Sequence, residues 1–172
     1  MQETAATDQY GRGFQTLALG GGCHWCTEAV VQSLRGVSVV AQGFAASEPP
    51  HHDFSEAVHV TFATSVISLD DLVAVHLATH ASTSAHKMRG KYRSAVYTTS
   101  SVQAISVRKA IEAIAGETGA EFVTAIVPLT DFKPSDARFY DYYRTDPTRP
   151  FCETYIVPKL AMIRTRFASL MA

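Results

Sequence analysis

The 172-residue chain reads as an α+β sandwich, one mixed or antiparallel sheet with helices packed on it, and three observations lead there. Strand-like and helix-like patterns alternate along the chain. The strand candidates Val37–Phe44 and Ala57–Phe62 follow one another with only a polar loop between them, the arrangement of an antiparallel pair. No internal repeat or linker divides the sequence, and its 47% hydrophobic content can fill one substantial core without disulfides or a metal.

Taken in order, Phe14–Leu19 is an apolar strand that meets Gly20-Gly21-Gly22. Thr27–Leu34 is a helix with Ala29, Val30 and Leu34 on its apolar side, closed by Gly36. Val37–Phe44 is the second strand, and the polar stretch Ser47–Asp53, with Pro49, Pro50, His51 and His52, is a loop. Alternation makes Ala57–Phe62 a third strand. Asp70–His80 is a helix whose two leading acids suit the positive end of its dipole. Ser94–Tyr97 is a short strand, Val102–Ala115 a helix stopped by Gly116 and Gly119, and Phe122–Val127 another strand. Ser135–Tyr143 is expected to be helical with Ser135 as its cap behind Pro134, and a last helix to run from Leu160 to Leu170.

The formal net charge of −1, with no basic block, argues against nucleic acid as a partner. No apolar stretch approaches the ~20 residues that cross a bilayer, so no membrane partner is expected. Residues 1–13 are polar, lack the pattern of a signal peptide and are expected to be a flexible tail, leaving 14–172 as a single catalytic domain. Three cysteines are an odd count, too few for a secreted disulfide framework, and fit a reducing cytoplasm.

Cys23 and Cys26 lie in Gly22-Cys23-His24-Trp25-Cys26-Thr27-Glu28, where strand, glycine turn and helix meet. That junction places Cys23 against unpaired backbone N–H groups and the positive end of a helix dipole, which favours thiolate over thiol. Cys26 is one helical turn away, so a second thiol is in reach of whatever forms on Cys23. A thioredoxin-like disulfide oxidoreductase has the same Cys-x-x-Cys placement. A zinc module using Cys23, Cys26 and two of His24, His51, His52 or Cys152 is a third reading, but a structural zinc site usually has two close ligand pairs and this sequence has one.

Four segments together resemble the A-type peptide-methionine sulfoxide reductases, from about Gln15 to Lys159: Gly22-Cys23-His24-Trp25 followed by Glu28, Ser55-Glu56-Ala57-Val58, Tyr92-Arg93-Ser94-Ala95-Val96-Tyr97, and Asp146-Pro147 leading to Phe151-Cys152. The resemblance implies a ferredoxin-like two-layer sandwich and thiol-dependent reduction of the S epimer of methionine sulfoxide, free or in peptides, with no cofactor and no metal. By position Cys23 is then the nucleophile. Glu56 is the acid that protonates the sulfoxide oxygen, which requires an apolar setting that keeps it protonated. Tyr92 hydrogen-bonds the same oxygen, and Trp25 walls the pocket for the substrate methyl. Attack leaves a sulfenic acid on Cys23, which a second thiol resolves before thioredoxin or a similar dithiol restores the enzyme. The resemblance points to Cys152 as resolver; the local spacing points to Cys26, which we favour as the first, with Cys152 passing the disulfide outward.

The sequence departs from the family's pattern in several places. His24 stands where an aromatic, usually Phe, lines the methyl pocket, so the pocket is expected to be more polar, and the imidazole beside Cys23 is a candidate to stabilise its thiolate. The chain between Phe44 and Glu56 is short and lacks a second active-site tyrosine; Phe54 has no hydroxyl, and His51 or His52 is a candidate to supply the missing donor. Lys87 replaces an Asp five residues before Tyr92, a change of two charge units expected to act on substrate or on Glu56. Phe139-Tyr140 occupies a place often filled by His-Gln.

Overall fold

The computed structural model describes residues 13–172. The expected tail, residues 1–13, therefore lies outside the described residues except for Gly13, whose carbonyl accepts from the Thr64 N–H at 3.1 Å. Strand β1 (Phe14–Gly20), helix α1 (His24–Gln32), strands β2 (Val37–Ala46) and β3 (Ser55–Ala63), helix α2 (Leu69–Ala78) and strand β4 (Ala95–Thr98) form a βαββαβ unit. Their order in the sheet is β4-β1-β3-β2, every neighbour antiparallel, which is the ferredoxin-like arrangement. Helix α3 (Ser101–Thr118) then crosses to β5 (Ala125–Pro128), parallel to β4, and β6 (Asp131–Pro134) pairs antiparallel with β2 at the opposite edge. The six-stranded sheet is mixed because β4 and β5, hydrogen-bonded neighbours joined directly by a helix, run parallel while the other neighbours run antiparallel.

Alternation along the strands sorts the two faces. Leu17 and Leu19 of β1, Val58, Val60 and Phe62 of β3 and Val96 of β4 point to one side, where they pack with Val30, Val31, Leu72, Val75, Val107, Leu160 and Ile163 from the helices. Each of these fully buried side chains is worth roughly 2 kcal/mol of transfer free energy. The other side is built of small residues, Ala18, Ala45, Ala57 and Ala95, around Tyr97, and is covered by Leu129 and Phe132. No helix residue belongs to that second cluster, so the layers are one sheet and one set of helices.

Four segments depart from the reading of the sequence, each for a local reason. Helix α1 starts at His24 rather than Thr27, because Cys23, at φ −60° and ψ 129°, is its N-cap. Helix α3 runs through Gly116 to Thr118 and ends where Gly119 turns left-handed at φ 71°. The expected helix over Ser135–Tyr143 is absent: β6 ends at Pro134, a 3₁₀ turn covers Ala137–Phe139 with the Asp136 carboxylate accepting from the Arg138 N–H, and Asp141 at φ 54° separates it from the single turn α4 (Tyr142–Thr145). The last helix α5 (Val157–Arg166) begins earlier than Leu160 and is preceded by a π turn, Cys152–Ile156, in which the Val157 N–H reaches back to the Cys152 carbonyl. Pro158 has no N–H for an ordinary i→i−4 bond, which accounts for the wider winding just before it.

Candidate active site

Strand β1 ends with Gly20 opposite Ala57 of β3, and the chain turns through Gly21 and Gly22 into α1. The turn is close-fitting: a Cβ on Gly20 would lie 2.9 Å from the Arg93 carbonyl oxygen, and one on Gly21 would run into the His80 ring. Arg89 ties this turn to the segment before β4, its guanidinium donating to the carbonyls of Gly21 at 3.0 Å and Tyr92 at 2.9 Å. Glu56 alternates with Val58, Val60 and Phe62 and so faces the helix layer where α1 begins. The His24 N–H points to Glu56 Oε1 at 3.5 Å. A half-buried thiol and a carboxyl group that is 7% exposed thus meet at one end of the sheet.

The thiols divide the charge unequally. A hydrogen bond from the Cys26 thiol, and the backbone N–H groups of Trp25 and Cys26, hold the Cys23 thiol below its ordinary pKa, against burial and the Glu56 charge. Cys26 is pushed far the other way, first because it is the donor in that bond and then by burial. Cys23 is thus the more acidic sulfur of the pair and Cys26 the less acidic one. Cys152, fully buried in the π turn, packs in the same core cluster and adds to the electrostatic field at Cys26, as does the cation of Lys159. Burial raises the Cys152 thiol, whose S–H points to the Asp146 carbonyl at 3.7 Å. All three cysteines are free thiols.

Beside the sulfur, His24 does not face Cys23 as expected. Its Nδ1 lies 2.7 Å from the Gly43 carbonyl oxygen and its Nε2 3.2 Å from Glu56 Oε1. The edge of the ring meets Phe44 with centroids 5.3 Å apart. The cation near Glu56 is Lys91, with Nζ 4.0 Å from Oε2, whereas Lys87 is exposed in the 3₁₀ turn Lys87–Gly90. The Tyr92 hydroxyl and then Glu56 raise the Lys91 ammonium, which links Tyr92 to the same edge of the site.

Trp25 forms an aromatic wall with partners the sequence did not announce. Tyr142 stacks on it at 4.0 Å and 3°, and Phe151 meets it edge-on at 5.5 Å and 88°. Phe139 lies beside it, centroids 6.5 Å apart, and Arg149 covers the far face of Tyr142 at 4.2 Å. What holds Tyr142 there is Glu28, 1% exposed, whose carboxylate accepts the N–H of Asp141 at 3.1 Å and of Tyr142 at 3.0 Å. Burial raises the Glu28 pKa, and those two amides with the Gln42 side chain oppose the rise. Sequence reasoning noted Glu28 as part of the motif and gave it no role. The available signal was an acid one helical turn beyond Cys23, on the face of α1 that is buried.

His52 is solvated, paired only loosely with Asp53 at 3.9 Å, and Phe54 is exposed. Among the described residues, no three His, Cys, Asp or Glu side chains are grouped so as to hold a metal ion. What the arrangement can do is thiol redox chemistry: a cysteine whose pKa is held down, a second thiol on the same turn, a carboxyl group to handle a proton, and an aromatic wall.

A ferredoxin-like domain carrying such a site falls among the thiol oxidoreductases. The model of the peptide methionine sulfoxide reductase family matches residues 15–170, and the chain belongs to that family. The peptide methionine sulfoxide reductase MsrA of Deinococcus radiodurans is 34% identical over 95% of this chain and 87% of its own length. Among solved structures, reduced Mxr1 from Saccharomyces cerevisiae superposes with a TM-score of 0.70 at 21% identity, covering 90% of this chain and 97% of that one. Mxr1 in complex with Trx2 gives a TM-score of 0.60 at 23% identity, over 83% of this chain and 92% of that one.

Proposed function

We propose that the protein is a peptide-methionine (S)-S-oxide reductase, which reduces the S epimer of methionine sulfoxide, free or in peptides, through Cys23. The observation that carries this reading is a cysteine of lowered pKa at a helix N-terminus beside a buried carboxyl group, in a chain of this family. In the step proposed, the Cys23 thiolate, the sulfoxide and one proton give methionine and a Cys23 sulfenic acid: the S–O bond of the substrate breaks, its oxygen passes to the cysteine sulfur, and two electrons pass from that sulfur to the substrate. Glu56 supplies the proton, since hydroxide leaves more readily than oxide. Tyr92 hydrogen-bonds the same oxygen, and Trp25 with Tyr142 and Phe151 walls the substrate methyl, so that shape selects the epimer.

Cys26 then attacks the sulfenic sulfur and releases water; the hydrogen bond it already makes to Cys23 supports it as first resolver. Cys152 receives the disulfide from Cys26 and presents it to thioredoxin or a similar dithiol. The assembly of Mxr1, a protein of this fold, with Trx2 supports that reductant. No helix among the described residues is long and apolar enough to cross a membrane, and we assign the protein to the cytoplasm, where three free thiols stay reduced. Disulfide exchange at Cys23–Cys26 alone would leave Glu56 and the aromatic wall without use. The test is a coupled assay of the two purified epimers of a blocked methionine sulfoxide, following NADPH through thioredoxin and its reductase. Turnover of the S form only is expected. Failure with both epimers overturns the proposal in favour of disulfide exchange.

A further inference from the structure

His24 is one of the points where this chain leaves its family's pattern, and its contacts constrain its proton. The Gly43 carbonyl can only accept, so at 2.7 Å the His24 Nδ1 must carry a hydrogen. With Nδ1 so occupied, Nε2 of the neutral ring is a lone pair 3.2 Å from Glu56 Oε1. A lone pair facing a carboxylate oxygen at that distance is repulsive. One proton between them makes the contact favourable, as carboxylic acid donating to Nε2 or as imidazolium donating to carboxylate. Both residues are more than nine-tenths buried, so water cannot substitute for that proton cheaply.

We propose that His24 and Glu56 form a two-residue store holding one proton, and that His24 is a positioning residue that keeps Glu56 loaded and aimed at the sulfoxide oxygen. This rests on the reductase reading above. The charged and titratable groups facing the store are the Cys23 thiol on the same helix turn, which feels the Glu56 charge, Lys91 at 4.0 Å from the other carboxylate oxygen and, through Lys91, Tyr92; β2 contributes only the Gly43 carbonyl and the Phe44 ring. When the store gives its proton to the sulfoxide it is left as a carboxylate beside a neutral imidazole, an unfavourable pair that draws a proton back from solvent before the next turnover. A lone carboxyl group here would empty more readily as the pH rises, because the imidazole gives the same proton a second seat.

The experiment is single-turnover methionine release, without added reductant, by the unmodified protein, His24→Phe, Glu56→Gln and the double variant at pH 6 and pH 8. His24→Phe should lose less than threefold at pH 6 and at least tenfold at pH 8, and should lose nothing further in the Glu56→Gln background. An equal loss at both pH values, or additivity with Glu56→Gln, overturns the proposal. A second measurement needs no substrate: imidazole ¹⁵N shifts of His24 should show Nδ1 protonated throughout, and the titration midpoint should move by at least half a unit in Glu56→Gln. A ring protonated on Nε2 alone, or an unmoved midpoint, also overturns it. Absence of turnover by the unmodified protein would instead overturn the reductase reading, with the spectra still deciding the proton store.

Discussion

Removing the Cys26 thiol should raise the pH at which Cys23 becomes nucleophilic. The bond from Cys26 is the largest single influence holding the Cys23 pKa down, and the backbone N–H groups of Trp25 and Cys26 remain when it is gone. Hydrogen bonds to a charged group are worth about 1.5–3 kcal/mol, and S–H is a weak donor, so the lower end of that range applies. At roughly 1.4 kcal/mol per pKa unit, Cys26→Ala moves the Cys23 titration up by about one unit. A more basic thiolate is intrinsically more nucleophilic, by about threefold per unit. That gain offsets part of any thiolate lost at a fixed pH, so the midpoint is a better measurement than the rate at pH 7. Iodoacetamide labelling of Cys23 across pH 5–10, read by mass spectrometry in a Cys152→Ser background, gives it directly. Cys26→Ser, whose hydroxyl can also donate, should stay near the parent. A Cys26→Ala midpoint within about 0.3 unit of the parent, or below it, would refute the assignment of the thiolate's stability to Cys26.

Further outcomes follow from the same geometry. Cys26→Ser should release methionine once per Cys23 and then stall with thioredoxin; turnover at the parent rate would show that Cys152 resolves directly. Glu28→Ala removes two part-buried hydrogen bonds, from the amides of Asp141 and Tyr142, at about 1 kcal/mol each, so urea unfolding should show a loss of about 2 kcal/mol together with altered Trp25 fluorescence; a change under 0.5 kcal/mol would mean that the segment finds other partners. His80 is held down to about 4 by burial, so the unfolded chain binds a proton near pH 6.5 that the folded chain refuses until about pH 4. Its contribution is complete above pH 6.5 and is lost as the pH falls through that window, by about 3 kcal/mol at the lower end. Urea unfolding at pH 7 and pH 4.5 should show the slope, and His80→Gln should flatten it; an unchanged slope would place the acid sensitivity elsewhere.

The legible parts of the chain are those in which residue type and neighbouring residues set the chemistry. Gly20-Gly21-Gly22 ahead of Cys23 requires a turn, the following residues favour a helix, and a thiol at that helix start is acidified by local amides, so Cys23 and Cys26 could be read without a fold. The strands β1 to β4 were likewise legible from alternation. The stretch 131–145 was not, because Pro134 and the left-handed Asp141 break it into a strand edge and two single turns whose stability comes from β2 and Glu28, distant in sequence. Cys152 could be named and not placed: its position depends on a π turn set by Pro158 and on packing beneath α1.

His24 marks the boundary between the two kinds of knowledge. From the sequence, an imidazole next to Cys23 reads as a partner for the thiolate, since adjacency along the chain is the only proximity a sequence records. In the folded protein, the first residue of a helix projects away from its N-cap, and β2 and β3 meet it with the Gly43 carbonyl and the Glu56 carboxyl. Residue types and local order pointed to the cysteine pair and the aromatic beside it, and the resemblance pointed to Glu56. Which of these groups share a proton was decided only by the antiparallel register of β2 and β3, in which Glu56 pairs with Phe44 and Ala57 with Gly43, because interactions at 3 Å depend on positions that long-range pairing alone fixes.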